Sequence, residues 1–441
     1  MPDRPMGGAG LSRRSLLSGA LAAGLLGGGV LSACSGPIAG ATSRLAFWHL
    51  MSGGDGIRMD EILSSMAADG AGAAVKQTVL SWGTPYYTKL AMSSAGGRAP
   101  DMAIMHLSRL AGYAPGGLLD PWDVSRFEKY GVSADTFAGA IFDRMHVGED
   151  LFAISLDSHA FIRFFNSEIA DAAGVLDSDG KLLPTATVDE FIEQAVAMQG
   201  VTGDLGLSWG WLGDSSHIWR FFWTLYTQQG ASMSVEDGAL QYEPDAFMGA
   251  LQTMIALISS PAAYRRSDGG FAYSKFTSGD SGQFLTGVWE LPGLLDAGIP
   301  LDASPIPNLF GTGIDAVWGD SHAFVLPHQN DTDEERREQV YEVISLILKR
   351  SLVWSSAGHT PAYLPILDEP GFTDLHPNGS YAETATYLHF DPAMSFAGSG
   401  SNWQASFGGE LQGALLGSDT PEQAKSNFEA MTADFIRRAV I

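Results

Sequence analysis

Ala316–Leu326 reads Ala-Val-Trp-Gly-Asp-Ser-His-Ala-Phe-Val-Leu, a strand pattern with apolar flanks whose middle carries an indole, a carboxylate and an imidazole. Trp318, Asp320 and His322 tolerate burial in such a strand only if their polar atoms find partners. Two arrangements meet that demand: a closed hydrogen-bond network, or the wall of a cleft that a polar ligand enters. A similar interruption, Asp157-Ser158-His159, separates the apolar runs Phe152–Leu156 and Phe161–Phe165.

Other patterns point to catalysis less well. Gly206-Leu207-Ser208-Trp209-Gly210 matches the G-x-S-x-G nucleophile elbow, which needs a helix immediately after it. Here Trp211-Leu212-Gly213 delays the helix to about Asp214, and no His-Gly-Gly oxyanion segment precedes it, so a strand-to-loop reading is preferred. The carboxylates Glu290 and Asp320 would suit a glycosidase at the right separation, which spacing along the chain does not give. The histidines are scattered, with no His-Glu-x-x-His and no Asp-x-Asp-x-Asp loop, so neither a metal nor a cofactor is expected.

Tryptophan is a more productive signal. Several of the 11 tryptophans sit at predicted strand ends beside Gly, Asp or His, and strand carboxyl ends are where open α/β sheets place ligands. Indole faces pack on the C–H faces of sugar rings, while carboxylates and imidazoles hydrogen-bond the hydroxyls. Trp82, Trp122, Trp223 and Trp354 lack suitably placed polar neighbours and are assigned to core or surface.

The elements that must position these groups follow from periodicity and caps. Strands over 44–50, 74–80 and 101–106 alternate with helices over 57–68 and 84–95, the second opened by Thr84-Pro85. That order implies parallel βαβ units. Further on, Thr187-Val188-Asp189-Glu190 is a capping box, 205–208 and 284–288 read as strands, and 215–229, 243–260, 271–280, 333–349 and 421–438 as helices. No internal repeat or long linker interrupts the chain after Ser43.

At the start, Arg13-Arg14 precede a Gly/Ala/Leu run ending in Leu31-Ser32-Ala33-Cys34, the pattern of an export signal. The run resembles a twin-arginine lipoprotein signal over 1–33 with Cys34 as the lipidated residue, followed by a small-residue tether over 34–43. Cys34 is the only cysteine, so no intrachain disulfide can form. Without residues 1–33 the chain loses Asp3 and three arginines, leaving 49 acids and 22 bases, net −27. Such a charge opposes binding to nucleic acid and to anionic lipid surfaces.

Leu45–Gly56, Tyr86–Leu90, Gly97–Leu119, Phe164–Gly174, Phe284–Glu290 and Trp354–Tyr363, in this order and behind a lipoprotein signal, resemble the family 1 extracellular solute-binding proteins of ABC importers, the group of maltodextrin and other oligosaccharide binders. The resemblance implies an α/β fold of two lobes, each a mainly parallel sheet flanked by helices, with the ligand cleft at the hinge. Lobe 1 would take 44–156 plus 321–362, and lobe 2 157–320 plus 363–441. It implies polar contacts from His49, Asp55, Arg109, His106, and Asp157 or His159, and aromatic contacts from Trp211, Trp219, Trp289 and Trp403. Under it, Trp318, Asp320 and His322 form a crossing between lobes that faces the cleft. The expected partners are a carbohydrate and the transmembrane subunits of a permease with their ATPase, and the expected state is an extracytoplasmic monomer touching the membrane only through the lipid on Cys34. No catalytic activity is expected. Glycerophosphodiester or polyol binding, and a secreted carbohydrate-active enzyme, are the alternatives.

Overall fold

Leu45–His49, Val75–Val79 and Met102–His106 are parallel strands of one sheet, linked by the helices Gly53–Ala68 and Thr84–Ala95. They belong to a computed structural model that describes residues 44–439. The signal, Cys34 and the tether lie outside the described residues. Among the described residues no helix is long and apolar enough to cross a membrane.

The first sheet has six strands: His322–Pro327 joins Met102–His106, and Leu119–Asp120 and Ala153–Ser155 pair with His322–Pro327. The second has seven and is centred on Asp157–Asn166. The chain leaves the first sheet after Ser155, enters the second at Asp157, and returns between Asp320 and His322. Thr360–Pro361 also pairs with Asp157 and Ser158. Two lobes result, each with its own sheet. The first is cored by Phe47, Ile104, Phe324, Ile344 and Leu348. The second is cored by Trp219, Phe222, Phe247, Phe407 and Phe428.

Both sheets are mixed where mainly parallel ones are expected. Strands separated by helical crossovers are parallel, as in Leu205–Trp209 with Ser281–Gly287. A strand that passes straight from one lobe to the other has no crossover to reverse it, so it pairs antiparallel. His322–Pro327 does so with Met102–His106, and Val317–Asp320 with Asp157–Asn166. Asp157-Ser158-His159 does not break a strand either. It opens the ten-residue strand Asp157–Asn166, every residue of which is buried.

Local signals explain where helices start and stop. Thr187 caps Val188–Thr202 by accepting from Glu190 N, and Gly203 ends that helix in the left-handed conformation. Asp214 caps Ser215–Thr227 through Ser216 N and His217 N. That helix is apolar on most sides and nearly wholly buried, the central helix of the second lobe.

Candidate functional site

Between the two sheets lies a cleft of about 650 Å³, within the size range of small-ligand sites. The first lobe contributes the start of helix Gly53–Ala68 with Asp55, Trp82 after the second strand, and His106 at the end of the third. The second lobe contributes Asp214, His217 and Arg220 from one helix, and Trp289 and Glu290 from the end of strand Ser281–Gly287. His159 and His322 come from the crossings and form part of the lining.

The aromatic wall is built on a missing side chain. The Trp289 ring lies flat on Gly287, where a Cβ would come within 2.0 Å of it. Arg220 stacks on Trp289 at 4.5 Å and on Trp318 at 4.8 Å, with Trp82 at 5.7 Å. The Arg220 side chain makes no hydrogen bond among the described residues, so its charge is held by ring faces and by the more distant carboxylates of Asp214, Asp391, Asp320 and Glu290. At the lip, Gly54 meets Pro292 so closely that a Cβ would come within 2.6 Å of Pro292 Cγ.

The polar groups are pre-set. His217 Nδ1 lies 3.0 Å from Gly210 O and donates to it, which leaves Nε2 as an acceptor. Burial pushes the His217 imidazole down to about 4, so it is neutral at neutral pH. Asp214 uses Oδ1 for its helix cap and keeps Oδ2 free for another donor. Glu290 is raised by burial and by Asp55, with Arg220 opposing. The set offers an indole face, neutral acceptors, carboxylates and one guanidinium, the complement of a molecule with many hydroxyls.

Behind the cleft floor, Asp157 gathers three imidazoles. His322 Nδ1 lies 2.8 Å from its Oδ2, His159 Nδ1 3.1 Å from its Oδ1, and His359 Nδ1 3.3 Å from its Oδ2. Trp354 Nε1 donates to Oδ2 at 2.6 Å and His322 N to Oδ1 at 2.9 Å. Burial alone would raise the Asp157 carboxyl, but the histidines outweigh it and hold it well below the usual range.

The expected site residues separate into two groups. Asp55, His106, His159, Trp289 and His322 line the cleft. The others do not reach it. His49 is buried against Gln77, 2.9 Å from Nε2 to Oε1. Arg109 stacks on Tyr87 and Tyr113 and donates to Ala397 O, so the cleft base is Arg220 instead. Asp157 is the enclosed centre of the imidazole group. Trp211, Trp219, Trp318 and Trp403 are all fully buried core. Trp219 and Trp318 both donate to Asp391 Oδ1 at 2.7 and 2.6 Å, and Trp403 donates to Thr432 Oγ1. Asp320 accepts from Ser108 N, Ser108 Oγ, Ser321 N and Ser399 Oγ, and faces no ligand space. It is therefore no catalytic partner for Glu290. Ser208 lies inside the buried strand Leu205–Trp209 and not on an elbow.

The residues missed are Trp82, Asp214, His217 and Arg220. Trp82, assigned to core or surface, is 39% exposed and lines the cleft. The signal for the other three was present. Positions 214, 217 and 220 are three apart, on one face of a helix that starts just after a strand's carboxyl end.

The profile of the bacterial extracellular solute-binding protein family matches residues 62–337, and the chain belongs to that family. A search of curated proteins finds no match. Among solved structures, the chain superposes on T. maritima MalE3 bound to maltose with a TM-score of 0.73 at 15% identity, covering 90% of this chain and 99% of that one. The GacH receptor of Streptomyces glaucescens, solved unliganded and with acarbose, gives 0.71 at 16% identity over 89% and 98% of the two chains. UgpB of Mycobacterium tuberculosis, in complex with glycerophosphocholine, gives 0.72 at 15% over 90% and 99%. These likenesses establish the two-lobed binding-protein fold.

Proposed function

We propose that the chain is the substrate-binding lipoprotein of an ABC importer, capturing an oligosaccharide between its lobes and delivering it to a membrane permease. Closure around the sugar is favoured by contacts that exist only when the lobes meet. The lipid on Cys34 would hold the protein outside the cytoplasm, and a monomer suffices. The carrying observation is the lining of the cleft: the Trp289 face beside Asp55, Asp214, Glu290 and neutral His217. Maltose- and acarbose-bound relatives of the same fold support this reading.

A glycerophosphodiester fits less well, although one relative of this fold binds glycerophosphocholine. A phosphate seeks a basic cluster, and here a single arginine lines the cleft among Asp55, Asp214 and Glu290. Calorimetry against a panel of oligosaccharides and glycerophosphodiesters tests the choice. A saturable sugar isotherm is expected. Binding of the phosphodiester alone would reverse the assignment, and release of sugar products on long incubation would replace transport by catalysis. Trp289→Ala should abolish sugar binding with the melting temperature little changed; retained affinity would remove the Trp289 wall from the site.

A further inference from the structure

We propose that Asp157, His159, His322 and His359 bind one divalent transition-metal ion of the zinc class at the crossing between the lobes. This goes beyond the sugar reading and does not depend on it. The four groups come from three separate passages of the chain: the start of strand Asp157–Asn166, the start of strand His322–Pro327, and the residue before strand Thr360–Pro361. Their donor atoms all lie within 4.8 Å of one another, and all four residues are buried. Three imidazoles and a carboxylate are a donor set that zinc-class ions take up in tetrahedral sites. Metal–donor bonds of about 2.1 Å place tetrahedral donors about 3.4 Å apart. Around the single oxygen Asp157 Oδ2, His359 Nδ1 at 3.3 Å is near that spacing and His322 Nδ1 at 2.8 Å is inside it.

His359 is the decisive residue. Its Nε2 lies 2.9 Å from Asp55 Oδ1, so that nitrogen carries the proton. Its Nδ1 then faces the cluster, buried and without a hydrogen-bond partner among the described residues, 3.3 Å from Asp157 Oδ2 in a contact that lacks hydrogen-bond geometry. A buried nitrogen left in this way calls for a partner. A metal ion between the donors supplies one. Asp55, on the Nε2 of His359, is in the place of an outer carboxylate that orients a metal-binding histidine and fixes its tautomer. With four protein ligands and no exposed ligand atom required, the ion would be structural, tying the three passages together. The local spacing of the histidines does not reveal the site, since residues 159, 322 and 359 are far apart in sequence.

The test uses the full chain, stripped with a chelator, dialysed and titrated with Zn²⁺ in the absence of sugar. One equivalent should bind with sub-micromolar affinity, Co²⁺ should give the absorption of a tetrahedral ion, and the melting temperature should rise on loading. His359→Ala should weaken Zn²⁺ at least 100-fold, while His376→Ala, at an exposed histidine outside the cluster, should not change it. Absence of stoichiometric uptake by the unmodified chain, or equal uptake by a folded His359→Ala, would overturn the proposal. Because the first titration needs no variant, a misfolded substitution does not rescue the idea. Sugar binding is read separately, so either reading can fail alone.

Discussion

Two buried aspartates sit side by side where the lobes join, and their surroundings are opposites. Asp320 pairs across the strands with His159, two residues from Asp157. Asp320 is ringed by two serine hydroxyls and two backbone N–H groups, with every donor taken from the protein. Asp157 is ringed by an indole, three imidazoles and one backbone N–H, that of His322; the imidazoles of His159 and His322 also form the cleft floor. Hydroxyls can turn to donate or accept; an indole N–H only donates. The first aspartate is therefore tolerant and sealed, and the second is rigid and continuous with the ligand space. A polar residue in a hinge strand is thus not one kind of evidence: the same side chain closes the fold at one position and supports the site at the other.

The sharpest way to break this contrast is to replace each carboxylate by its amide. In Asp157→Asn the new N–H₂ must face the Trp354 indole or the His322 backbone N–H, donor against donor, a cost of about 3–5 kcal/mol. Asp320→Asn keeps its oxygen on the backbone donors while Ser108 and Ser399 rotate to accept from the amide, at about 1 kcal/mol. Urea unfolding of both variants checks this, and equal losses would erase the distinction.

A third buried carboxylate tests burial with few donors. Asp391 takes two indole N–H bonds on one oxygen while its Oδ2 has no partner among the described residues, and burial, with Asp320 nearby, raises it from 3.8 to about 6. Because the folded form holds the proton more tightly, this group's stabilisation is complete below about 3.8. It is lost as pH rises through about 6. The shift corresponds to about 3 kcal/mol. Melting across that pH window should show this loss, opposing acid destabilisation by other carboxylates, and Asp391→Asn should remove it.

Smaller still, Ser399→Ala deletes one of the four donors to Asp320 and should cost about 1 kcal/mol in urea. Sugar affinity should be unchanged, since this aspartate faces no ligand space. A lost affinity would join the two aspartates into one unit.

Much of the fold was readable because its signals are local. Thr84-Pro85, Thr187 with Glu190, and Asp214 each start a helix where the residue types require one, and the first three strands follow from their apolar runs. The direction of the crossing strands was not readable, since it depends on where the chain passes between lobes. For the site, residue type alone misled. Trp211, Trp219, Trp318 and Trp403 look like a sugar platform in sequence, but all four are packed in the second lobe's interior. Asp320 looked like Asp157 and His322, and only its serine neighbours, one of them 79 positions away, distinguish it. The imidazole group was invisible for the same reason: its members meet through three passages of chain that share no local motif.

The contact between Gly54 and Pro292 ties the lips of the two lobes together. With no room there even for a methyl group, any side chain at position 54 would have to push the lips apart. A glycine at position 54 is thus a condition for the lobes to meet as closely as they do.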